Sequence, residues 1–167
     1  LYSYNWFSDT SEAAAIAANG VNQNRVYISN HSYGYLTGWD FDGTSWFWYG
    51  ASLNEREADD FGKYGVLAQI WDGIAHAAPY YLPFKSAGND RNDGPPPAGT
   101  PFTFNTNPNF TYDPAIHPYG DGYKGGYDTV TDFGNARNVM TVGAVNAAVS
   151  GGVRDPAAAS MSSFSGW

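Results

Sequence analysis

The stretch Tyr80-Tyr81-Leu82-Pro83-Phe84-Lys85-Ser86-Ala87, followed at once by Gly88-Asn89, decides how the rest of the chain is read. It is an apolar run of strand length closed by a small-residue turn. Pro83 is awkward inside it, because proline gives a β-ladder no donor. Immediately before it, Glu55 to Ala78 has helical spacing, with Phe61, Val66, Ile70, Ile74 and Ala77 near one stripe and Pro79 as the stop. Earlier still, Arg25-Val26-Tyr27-Ile28-Ser29-Asn30 reads as a strand. Strand, helix and strand in that order predict a right-handed parallel crossover.

Working outward, Leu1 to Trp6 reads as a further strand. Asp9-Thr10-Ser11-Glu12 supplies capping residues ahead of an alanine-rich helix that ends near Gly20. Val139 to Val145 reads as a last clear strand, and Ser160 to Ser165 follows a loop. Tyr35 to Leu53 and Gly88 to Gly126 show no period and read as long loops. The expectation is an α/β fold, a parallel sheet flanked by helices, with residues 1–167 forming one segment of a larger domain. Leu1-Tyr2-Ser3-Tyr4 and Ser165-Gly166-Trp167 both read as cuts through a continuing fold, so a fragment or processed piece is expected.

Composition narrows the function classes. Hydrophobic residues make up 43% and charged residues only 14%, below the ~25% of ordinary soluble domains, which argues against disorder. Eight Lys and Arg against a net charge of -8 leave no basic run for a nucleic-acid backbone. No apolar run reaches the ~18 residues that a membrane span needs. Cysteine is absent, which excludes a disulfide framework and thiolate metal sites.

Three short segments fall in order at strand ends: Asn30-His31-Ser32-Tyr33-Gly34, then Ser86-Ala87-Gly88-Asn89, then Val139 to Val145 followed by Met161-Ser162-Ser163-Phe164-Ser165. This order resembles the subtilase (subtilisin-like serine protease) family, where the segments read roughly N-x-S-x-G, A-A-G-N, V-x-x-V-G-A-V and a short Ser-Phe-Ser run. The resemblance covers nearly the whole chain, with longer loops at 35–54 and 91–133. It implies that Asn89 donates a side-chain N–H to the oxyanion of an acyl-transfer intermediate. It implies that Ser32, Tyr33 and Gly34 pair with an extended peptide substrate, and that Ser86, Ala87 and Gly88 line the pocket for the residue before the scissile bond. Taken alone, Asn89 as a turn residue and Ser32–Gly34 as a strand-to-loop turn also account for these positions.

The family's Asp-Ser/Thr-Gly, His-Gly-Thr-His and Gly-Thr-Ser-Met-Ala strings do not occur. His31 reads as a local variant, His76 as a helix-end residue and His117 as a loop residue, so no triad is assembled from them. The segment by itself is therefore expected to be inactive, its partners being a peptide or protein substrate and the remainder of the peptidase domain, in a secreted enzyme. Structural calcium is a family feature that the resemblance implies without assigning it to particular residues. Asp40-Phe41-Asp42-Gly43 lacks the closing Glu of an EF-hand loop, and Asp90, Asp93, Asp113, Asp121, Asp128 and Asp132 read as solvated loop carboxylates.

Two alternatives compete with the peptidase reading: a non-catalytic scaffold of the same fold, and a carbohydrate-binding module. The second rests on Trp39, Trp46, Trp48 and Tyr49, which crowd one loop, although packing of that loop over the core explains them better. Sequons stand at Asn30 and Asn109, the first expected at a buried strand end where a glycan would not fit.

Overall fold

The computed structural model describes residues 6–18 and 26–167. The strand expected over Leu1 to Trp6 and the Gly20 cap lie largely outside them. Trp6–Ser8 forms a 3-10 turn that leads into α1 (Asp9–Ala18); the residues expected to cap it, Asp9 to Glu12, form its first turn instead, where Asp9 and Glu12 suit the positive end of the helix dipole. β1 (Ile28–His31) follows. α2 (Val66–Ala77) crosses to β4 (Leu82–Ser86), and β7 (Met140–Val142) completes a parallel sheet in the order β1-β4-β7. The chain is thus α/β with a parallel sheet, as the crossover pattern predicts.

The same two stretches that read as loops build a second sheet. β2 (Trp39–Phe41), β3 (Trp46–Trp48), β5 (Pro101–Phe104) and β6 (Asn107–Thr111) lie in that order, antiparallel except for the β3–β5 pair. A small hairpin of β8 (Val149–Ser150) and β9 (Val153–Arg154) stands apart. The central strand expected from Pro83 is real, and the missing donor is harmless. Backbone N–H groups alternate sides along a strand. Leu82 donates to Tyr27 on the β1 side and Ala87 to Val142 on the β7 side. Pro83 therefore faces β7, whose pairing starts one residue later at Phe84–Met140.

α2 starts eleven residues later than its spacing suggested, and its buried stripe is different. Ala68, Trp71, Ile74 and Ala75 face the core, whereas Val66 and Ile70 are exposed. Phe61 belongs to the second core. The first core gathers Ala13, Ala68, Trp71, Ile74, Ala78, Tyr81, Phe133 and Ala136 between the helices and the parallel sheet. The second gathers Trp39, Trp48, Ala58, Phe61, Phe102 and Tyr112 behind the other sheet.

Among the described residues, only one face of the parallel sheet is covered. Side chains alternate along a strand, and Pro83, Lys85 and Ala87 are buried on the helix side while Leu82, Phe84 and Ser86 are less so. Ile28, Leu82, Met140 and Val142 on the opposite face are exposed. Parallel sheets ordinarily bury both faces. No helix among the described residues is long and apolar enough to cross a membrane.

Candidate functional site

The residues singled out from the sequence come together at the carboxyl edge of the parallel sheet, the usual ligand side of an open α/β fold. β1 and β4 are parallel neighbours, with Asn30 opposite Phe84 and His31 opposite Lys85. Ser32-Tyr33-Gly34 leaves the end of β1, and Ala87-Gly88-Asn89 leaves the end of β4. Gly88 has φ +94°, a left-handed conformation in which a side chain would be strained. It turns the chain so that Asn89 is exposed. The Asn89 side chain does not cap the 3-10 turn Asp90–Asn92 that follows it, so the turn-capping role leaves its carboxamide unused.

A strap from Ser162 to Trp167 fixes this corner. Gly166 N donates to Gly88 O, Arg91 N to Phe164 O, and Asp128 and Thr129 N to Trp167 O. Ser165 Oγ accepts from Ala144 N at 2.9 Å. A Cβ on Gly166 would sit 2.2 Å from Ala87 O, so glycine is needed for the strap to lie this close. Ala87 is consequently only 4% exposed and lies beneath the strap. Ser86 and Gly88 are half-buried. Tyr33 and Gly34 instead border a pocket beside the first turn of α1, whose walls include Asp9, Tyr35, Trp71 and Phe133. Gly34 is exposed and a Cβ there would make only ordinary contacts, the nearest at 3.7 Å to Phe133, so the backbone at this point is open to approach.

Behind that pocket runs a hydrogen-bonded chain that sequence reasoning missed. Tyr33 OH donates to Asp9 Oδ2 at 3.0 Å, so its oxygen must accept from His31 Nδ1 at 2.6 Å. His31 Nε2 then accepts from Ser29 Oγ at 2.6 Å, and Ser29 accepts from Tyr81 OH at 2.7 Å. The i, i+2 spacing of Ser29, His31 and Tyr33, which puts all three on one face of an extended strand, was the available signal. The order Ser, His, acid is that of a nucleophile, base and orienting group. Its position speaks against that use. His31 is buried edge-on against Trp71 beneath the helices. Burial, and then the Lys85 charge, push its pKa down to about 4, which leaves a weak base.

Lys85 is the other unexpected residue. It is 1% exposed, and its Nζ has no hydrogen-bond partner among the described residues. Three rings surround it, with centroids at 4.0 Å (Phe133), 4.3 Å (Tyr33) and 5.0 Å (Trp71). Desolvation lowers its pKa to about 8, against a smaller upward pull from Asp9.

Several sequence expectations need correction. Asp121 is not a solvated loop carboxylate. It is 1% exposed and accepts from Trp39 N at 2.9 Å. Gly38, at φ +76°, leaves it room, since a Cβ there would lie 2.3 Å from the carboxylate. Burial, reinforced by Asp90, Asp93 and Glu57, raises its pKa to about 9. Asp90 and Asp93 are raised to about 6, mainly by burial. Asp42 is used in its own turn, accepting from Thr44 and Ser45 N. Trp39 and Trp48 are 0% and 2% exposed and form the second core, so only Trp46 and Tyr49 of the four clustered aromatics reach solvent. Asn30 lies on the uncovered sheet face and is exposed, not buried; its carboxamide exchanges hydrogen bonds with Ser32 Oγ. Among the described residues, no three carboxylate or imidazole groups are placed to hold a metal ion.

No family model, no curated protein and no solved structure matches this chain.

Proposed function

We propose that this chain is the substrate-binding and oxyanion-stabilising segment of a subtilisin-like serine endopeptidase. The observation that carries the reading is the pairing of two strand ends: Ser32-Tyr33-Gly34 and Gly88-Asn89 leave neighbouring parallel strands at the same edge, and Asn89 holds an exposed carboxamide that caps nothing. An extended peptide added beside Ser32–Gly34 by backbone pairing would run past a donor of the kind that acyl transfer needs. The segment contributes binding and charge stabilisation only. The nucleophile and its base come from triad motifs that do not occur in this sequence, and the chain by itself hydrolyses neither casein nor peptide amides.

The test is Asn89→Leu in a peptidase domain that joins this segment to the three triad motifs. The carboxamide donor acts on charge that appears only after nucleophilic attack, so kcat should fall on the order of 10²–10³ with KM little changed, as for the oxyanion-hole Asn of subtilisin. A variant with a lower melting temperature but an unchanged kcat per folded site would make Asn89 a turn residue and remove the reading. Turnover by the isolated chain that a serine-directed fluorophosphonate abolishes would also remove it.

A further inference from the structure

The pocket beside α1 sets one carboxylate among aromatic rings. Asp9, Tyr33, Tyr35, Trp71 and Phe133 are among its walls, together with Gly34. Tyr35 meets Phe133 edge-on, with centroids 5.9 Å apart and planes 70° apart. Gly34 and Tyr35 are exposed, so the pocket opens to solvent where the chain leaves β1. Its depth has room for about one water-sized group. Asp9 Oδ1 accepts from Thr10 N at 2.7 Å, and Oδ2 accepts from Tyr33 OH at 3.0 Å. A carboxylate offers about four lone-pair sites, so Asp9 can accept further donors. Among the described residues it makes no ion pair.

We propose that Asp9 is a specificity-determining residue, which makes this pocket take the ammonium group of a lysine in the peptide that pairs with Ser32–Gly34. The inference rests on that pairing, part of the function proposed above, and deepens it by naming a basic substrate. Tyr33 and Gly34 are at once the pairing residues and walls of the pocket. A peptide strand laid beside them delivers a side chain to it, and the neighbouring side chains point the other way.

Size and charge select the side chain. A lysine ammonium is a compact point charge about as large as a water molecule, whereas a guanidinium is a wider planar fork. Ring faces attract a cation, and a carboxylate accepts from it with charge-assisted strength. Two features oppose a cation here. The first turn of α1 is the positive end of the helix dipole, and Lys85 Nζ lies behind the rings of Tyr33, Trp71 and Phe133. Asp9 is in the wall and Lys85 is not, and Coulomb attraction grows as distance shrinks. The preference therefore stands or falls with the Asp9 carboxylate.

The test titrates the whole chain with short Ser/Ala peptides, blocked at both ends, by calorimetry at low salt. One lysine is moved along the peptide, and each lysine is then replaced by norleucine and by arginine. At one position lysine should bind about tenfold more tightly than norleucine. Arginine there should gain less than lysine. Asp9→Asn keeps an acceptor for Tyr33 OH and removes the charge, so it should bring lysine and norleucine together. Asp9→Glu should retain part of the preference. Should Asp9→Asn not fold, Asp9→Ser, also accepted at a helix start, takes its place. Peptides that bind with no gain for lysine over norleucine at any position overturn the inference and leave the pairing intact. A lysine preference that survives removal of the Asp9 charge also overturns it. Absence of binding across the whole series overturns the pairing and the inference together.

Discussion

His31 and Lys85 stand opposite each other across the parallel ladder of β1 and β4, and the Lys85 charge is one of the forces holding His31 neutral. Both bases have folded-state pKa values below their ordinary ones, His31 about 4 and Lys85 about 8. A depressed base penalises folding once the unfolded chain takes up a proton that the folded one resists. Stability is thus lost as pH falls from about 10.5 to 8 through Lys85, and again from about 6.5 to 4 through His31.

Lys85→Met should therefore stabilise the chain at pH 7, on the order of 2–3 kcal/mol, because the buried amine must be charged there and methionine fills a similar volume. The slope of stability between pH 8 and 10.5 should largely vanish in the variant. Urea denaturation at several pH values measures both. A destabilised Lys85→Met would mean that the aromatic cage gains more from the cation than desolvation takes away.

Asp121 has the opposite sign. Its folded pKa is raised to about 9, so the stability it allows is fully present below about 4 and is lost as pH climbs towards 9. Asp121→Asn keeps an oxygen for Trp39 N and cannot ionise. The variant should melt higher than the unaltered chain at pH 8, and the two should converge near pH 4. Thermal scans at the two pH values check this, and equal melting temperatures at pH 8 would contradict the burial of an ionisable group there.

Thr106 is a β-branched residue at φ 66°, beside Asn105 at φ 47°, in the two-residue turn between β5 and β6. Hairpin turns with two positive φ values favour Asn-Gly. Thr106→Gly should raise stability by about 1 kcal/mol through relief of that strain. A lower melting temperature for this single change would show that Thr106 contributes a contact worth more than the strain.

The bare sheet face should be adhesive. Exposed apolar patches of this kind mark interaction surfaces or sites of association. The chain should bind a hydrophobic dye and associate as its concentration rises, by dye fluorescence and sedimentation. Met140→Lys with Val142→Lys should reduce both while changing melting temperature little, because both side chains already meet water.

The parallel core was legible because its signals are local and redundant. The acidic Asp9–Glu12 turn with its alanine run, the Ile28 to Asn30 run, and Leu82 to Ser86 ahead of Gly88 each carry both pattern and punctuation. The second sheet was not legible. Trp39–Phe41 and Trp46–Trp48 are three residues each, too short for an alternation to emerge, although Asp42-Gly43 between them was a hairpin signal left unread. Asn105-Thr106 likewise hides a turn because threonine replaces the expected glycine. The α2 stripe was misplaced because exposed Val66 and Ile70 are apolar, while buried Ala68 and Ala75 are small enough to pass unnoticed. At the site, positions could be read from the motifs, and the i, i+2 spacing of Ser29, His31 and Tyr33 was local, but the link from Tyr33 to Asp9 joins residues 24 apart that only tertiary packing brings together.

The strap from Ser162 to Trp167 makes the Asn89 corner cooperative with a segment more than seventy residues away in sequence. The Gly88 carbonyl and the Arg91, Asp128 and Thr129 amides are all engaged by it. Releasing the strap frees these groups together, so their amide protons should exchange as one opening event with one free energy. The carboxamide of Asn89 then has two regimes. While the strap is closed, the backbone that carries it is held in place at the sheet edge. In the open minority state that backbone is released with it. The fraction of time the donor is usable is thus set by a population, and a change in Gly166, which touches no substrate, would alter it.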